Sequence, residues 1–124
     1  MTEPRLAAMR ELIANPQSSI EDAAVAWSAL GEAGKKTPEM ANQMAQFAYN
    51  TQDPKQLLKL FDAFDDHNDP AFIAPLIHYL QDPNPIIREH AAEALRDYRS
   101  NPTAAQWLDF LTNDPDPIVS RKGL

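Results

Sequence analysis

Three histidines, 18 acidic side chains and no cysteine set the chemistry open to this 124-residue chain. His90 and Glu93 stand at i, i+3, which puts both on one face of a helix, where they reach a metal only if other elements complete the ligand set. The remaining imidazoles are His67 and His78, too few for a dinuclear site, so Glu89, His90 and Glu93 read as a solvated helix face. Asp62, Asp65, Asp66, His67, Asn68 and Asp69 form the densest polar cluster, but they lack the ligand spacing and the central glycine of a calcium loop. They read as a solvated loop in which Asp69 caps a helix beginning at Pro70. Ser18, Ser19, Ser28, Ser100 and Ser120 have no glycine-flanked elbow and no adjacent histidine, and Gly31, Gly34 and Gly123 are too scattered to cradle a phosphate. With no thiol there is no disulfide, thiolate nucleophile or Cys-based zinc site. No metal, cofactor or nucleotide chemistry is expected.

The elements that carry these residues are marked by proline. The chain has 11 prolines and only 3 glycines, the prolines at nearly twice their usual share of about 5%. Pro4, Pro38, Pro70 and Pro102 recur at intervals of 34, 32 and 32 residues, three of them after Thr37, Asp69 or Asn101, residues that cap helices. A second series, Asn15-Pro16, Asp53-Pro54, Asp82-Pro83 and Asp114-Pro115, divides each interval in two. Eight short helices follow. Their apolar residues have helical spacing: Ile87, Ala91, Ala94, Leu95 and Tyr98 make one stripe, and Phe72, Ile73, Leu76, Ile77 and Leu80 its partner. Leu6, Met9, Leu12 and Ile13 answer Ile20, Ala23, Ala24, Trp27 and Leu30, while Met40, Met44, Phe47 and Ala48 answer Leu57, Leu58, Leu60, Phe61 and Phe64. Trp27 and Trp107 both read as packing residues. Helices this short need neighbours to persist.

The last two intervals align without a gap at an offset of 32, Asp82-Pro83-Asn84-Pro85-Ile86-Ile87 over Asp114-Pro115-Asp116-Pro117-Ile118-Val119. The stretch Leu76 to Leu95, with Pro75, Asp82, Arg88, Ala91 and Ala94, resembles a HEAT-like repeat of the short bacterial, lyase-type kind. The resemblance implies an all-α fold, an α-solenoid or right-handed superhelix of about four helical hairpins. It further implies one domain over 1–124, with repeats at about 4–36, 37–68, 69–100 and 101–124. It also implies that Asp82 and Arg88 pair along the stack. Departures are Ser120 in the place of Arg88, and Lys59 six residues after Asp53. Because Arg121-Lys122-Gly123-Leu124 stops short of a full final helix, the chain is expected to be a segment of a longer repeat protein; the alternative is a short last helix frayed at Gly123.

HEAT-like deoxyhypusine hydroxylases bind iron through repeated His-Glu pairs, whereas here the order is Glu-His and occurs once. The function implied is therefore a non-catalytic protein-interaction or scaffold module that binds a protein or peptide in a concave groove. Expected contact residues are Glu89, His90, Glu93, Arg96 and Asp97, with Lys55, Gln56 and Lys59 from the preceding repeat. The first group is net acidic, so a basic peptide fits better. The alternative is a subunit or domain of a HEAT-like enzyme, bilin lyase-type or DNA glycosylase-type. A net charge of −7 opposes nucleic acid and anionic lipid. No apolar run nears the roughly 18 residues of a membrane span, which suits a cytoplasmic protein.

Overall fold

The computed structural model describes residues 2–51, 53–65 and 69–123, and among these all regular structure is helical. The helices are α1 (Glu3–Ala14), α2 (Ile20–Glu32), α3 (Pro38–Asn50), α4 (Pro54–Asp65), α5 (Ile73–Tyr79), α6 (Pro85–Leu95), α7 (Pro102–Leu111) and α8 (Pro117–Lys122). The fold class is all-α, as the sequence led us to expect. Prolines occupy the first positions of α1, α3, α6, α7 and α8, where a missing N–H costs nothing. Side chains of Ser19, Thr37, Asn84, Asn101 and Asp116 cap α2, α3, α6, α7 and α8. Asp69 accepts the Ala71 N–H at 2.9 Å, as expected, although the helix at Pro70 opens with a 3-10 turn, Pro70–Phe72. Residues 66–68 of the aspartate cluster lie outside the described residues.

Two compact units divide the chain, residues 1–63 and 64–124. In the first, α1 packs on α2 and α3, and α2 on α3. Its core includes Ile13, Ala23, Ala26, Trp27, Leu30, Met44, Ala48, Leu60 and Phe61. Trp27 is 1% exposed, and the Lys36 ammonium lies 4.0 Å from its ring centroid. α2 ends where Gly34 takes φ +68° and the N–H groups of Gly34 and Lys35 close back on the carbonyls of Gly31 and Leu30, a left-handed exit that suits glycine.

In the second unit α6 is central, packing on α5, α7 and α8. Its buried side includes Ile87, Ala91, Ala92, Ala94 and Leu95, and three alanines let neighbouring helices come close. Phe64 and Phe72 stack with centroids 4.1 Å apart. The buried Tyr98 hydroxyl donates to the Phe64 carbonyl at 3.2 Å and accepts the Asp69 N–H at 3.3 Å. Burial pushes its pKa up to about 12.

Candidate functional site

The register of the second unit is held by Arg88. Its guanidinium donates to both carboxylate oxygens of Asp114, at 2.9 and 3.2 Å, and to the carbonyls of Asp82 and Pro83, at 2.8 and 3.2 Å. One side chain thus ties the α5–α6 turn to the α7–α8 turn. This corrects the expected pairing: Arg88 meets Asp82 only through the backbone, and its charge partner is the next repeat's aspartate. The Asp82 carboxylate instead accepts the Asn84 N–H at 2.8 Å.

The cap positions also correct the alignment of the second repeat. Asp53 accepts the Lys55 N–H directly before α4, as Asn84 does for Ile86 before α6. Asp53 therefore corresponds to Asn84, and the residue in the place of Arg88 is buried Leu57, not Lys59. Lys59 is ion-paired with Glu21, and that ammonium holds the Glu21 carboxyl below its ordinary pKa.

With the buried side of α6 committed to the core, helical spacing leaves Glu89, His90 and Glu93 along its outer edge, and Arg96 and Asp97 follow in the 3-10 turn Arg96–Tyr98 that ends the helix. Glu93, Arg96 and Asp97 are exposed and His90 is half-buried. Glu89 was expected to be exposed, yet only 28% of its side chain is. The reason is Lys122 of α8, whose ammonium lies 4.0 Å from Glu89 and 3.6 Å from Glu93. The edge is therefore a mixed-charge surface. Among the described residues, no group of three or more His, Cys, Asp or Glu is gathered as a metal would need. Lys55, Gln56 and Lys59 belong to the other compact unit.

α8 is held from below. A Cβ at Gly123 would sit 2.3 Å from the Leu108 carbonyl oxygen, so the close approach of the chain end to α7 requires glycine. Arg99 donates to the Gly123 carbonyl at 3.2 Å. Gly123 is thus buried against α7 instead of frayed.

A family model described as HEAT repeats matches residues 46–123. The chain belongs to the HEAT repeat family. Curated proteins and solved structures gave no match. The HEAT repeat match spans the Arg88–Asp114 link and the whole of the α6 edge. No helix among the described residues is long and apolar enough to cross a membrane.

Sequence reasoning missed one surface of this HEAT repeat unit. Trp107 is half-buried, not core, and meets Phe110 edge-on with centroids 6.0 Å apart. Phe110 is 68% exposed. Together they line an apolar cleft of about 200 Å³ with Leu80, Leu111 and Pro115. At the repeat offset of 32, Phe110 falls on His78, an exposed polar residue, and that mismatch is the sequence signal that marks Phe110 as a surface position.

Proposed function

We propose that this HEAT repeat chain is a non-catalytic protein-interaction module of the cytoplasm. It forms one repeat domain over 1–124, with repeats at about 4–36, 37–68, 69–100 and 101–124, and binds a protein or peptide partner through Glu89, His90, Glu93, Arg96 and Asp97. HEAT repeats generally serve as protein-interaction scaffolds, and the reading rests on one observation besides: α6 is fixed rigidly by its buried alanine side and by Arg88, while its outer edge offers solvated charges of both signs. Solvated charges on a rigid helix favour partner selection and encounter rate over acid–base chemistry, which needs desolvated groups. The carboxylates outnumber the cations there even with Lys122 counted, which favours a basic partner segment over nucleic acid.

Affinity capture with the wild-type chain as bait, repeated with Glu89→Lys, Glu93→Lys, tests this. A protein partner should be retained by the wild type at low salt and bind the double variant about five- to tenfold more weakly, the scale of two rim charges. A partner bound equally by both removes this edge from the site.

A further inference from the structure

We infer that the Trp107–Phe110 cleft on α7 is a second contact site, one that takes a single aromatic or branched aliphatic side chain of a peptide whose neighbouring residues are lysine or arginine. The inference rests on the interaction-module reading but assigns the contact to α7 and not to the α6 edge.

Three observations carry it. Phe110 is a large apolar residue left 68% exposed, on a helix whose own core positions are already filled by Ala104, Leu108 and Leu111. Trp107 and Phe110 line both this cleft of about 200 Å³ and, with Gln106, a second hollow of about 360 Å³, so the two rings present an open apolar surface. The lining of the cleft is mostly apolar, with Leu80 from the end of α5, Trp107, Phe110 and Leu111 from α7 and Pro115 from the turn, and Gln81, Asn113 and Asp114 at its polar side. That is the form of a pocket for one anchoring side chain.

Charge selects the occupant. Between Asn101 and Val119 the only charged residues are Asp109, Asp114 and Asp116, with no lysine or arginine. Arg88 matches Asp114, the carboxylate that lines the cleft, while Asp109 and Asp116 adjoin the lining residues Phe110 and Pro115 along the chain and add acidic charge there, in a chain of net charge −7. A second copy of the chain would bring the same carboxylates against themselves, and an anionic membrane would be repelled. A basic segment with an apolar anchor satisfies both the floor and the rim.

Selection from a displayed library of random heptapeptides on the wild-type chain, with parallel selection on Phe110→Ser, tests this. The variant removes an exposed ring, so its circular dichroism spectrum and melting temperature should match the wild type's. Wild-type selection should enrich one aromatic or aliphatic position flanked by Lys or Arg. Synthetic copies of those peptides should bind Phe110→Ser about tenfold or more weakly, lose affinity as salt rises, and shift the emission of half-exposed Trp107. Four results overturn the inference: no enrichment above a blank surface; enriched peptides lacking basic residues; enriched peptides that bind Phe110→Ser as well as wild type; or a wild-type dimer in sedimentation that Phe110→Ser dissolves, which gives the cleft to a second copy. Peptides that keep their affinity for Phe110→Ser but lose it on Glu89→Lys, Glu93→Lys would leave the α6 edge standing and this site refuted.

Discussion

Replacing Arg88 by alanine removes four hydrogen bonds at once, and they are not of equal weight. The carbonyls of Asp82 and Pro83 lie in a turn where water can replace the guanidinium, so their loss costs little. The Asp114 carboxylate is only 8% exposed, and Arg88 itself 15%. Once Arg88 is gone, that carboxylate retains the Asp116 N–H at 2.9 Å but has no compensating charge. Truncating one partner of a fully buried pair costs about 3–5 kcal/mol, and an unsatisfied polar group about 1–3 kcal/mol. For a pair that water still reaches at its edge we expect about 2–4 kcal/mol, a large share of the ~5–15 kcal/mol that holds a domain together. Urea denaturation of Arg88→Ala, Asp114→Asn and the double variant gives the coupling energy directly. Asp82→Asn is the control, because the Asp82 carboxylate serves only its own turn. An unchanged urea midpoint for Arg88→Ala, or a coupling to Asp82 larger than to Asp114, would refute the assignment.

Gly123→Ala forces a methyl to within 2.3 Å of the Leu108 carbonyl oxygen and should destabilise the protein by about 1–3 kcal/mol, the usual cost of overpacking, measured by thermal unfolding. Tyr98 titrates near 12 when folded and near 10 when unfolded, so between these pH values the unfolded chain releases a proton that the folded chain keeps. Its contribution is fully present below pH 10 and is lost, by up to about 2–3 kcal/mol, as pH rises to 12; denaturant melts of Tyr98→Phe should show a shallower decline over that window. The charge reversal at Glu89 and Glu93 should change stability by no more than about 0.5–1 kcal/mol, because the contacts of Lys122 with them are partly solvated.

Much of this fold is legible before any coordinates. Proline at a first helical position and a polar cap before it are local signals, and they place α3, α7 and the helix after Asp69 correctly. The second series of prolines is harder, since the Asp82-Pro83-Asn84-Pro85 turn holds two prolines and only the latter opens a helix. Matching Asp53-Pro54 to the former shifts the second repeat by two residues and puts Lys59 where Leu57 belongs. The Arg88–Asp114 bond is invisible to spacing along one repeat, because it forms between repeats. Trp107 reads as a packing residue yet is half-buried, because an aromatic residue in an apolar helix has the same periodicity whether it faces the core or the solvent. Glu89 lies outside the buried side of α6, as its spacing implies, but the approach of Lys122 depends on how α8 docks, which no single helix encodes.

α8 is six residues long, far below the roughly 12–15 at which an isolated helix becomes even marginal in water. Beyond its own Asp116 cap and Pro117, what keeps it helical is borrowed: Gly123 seated against Leu108, Arg99 on the Gly123 carbonyl, Lys122 against the α6 carboxylates, and Arg88 gripping the turn that precedes it. Such a helix has no opening transition of its own between intact and coil. Its amide protons gain protection from solvent exchange only as members of a larger cooperative unit that includes α6 and α7, so loosening Arg88 should release the whole hairpin to exchange together instead of letting it fray residue by residue.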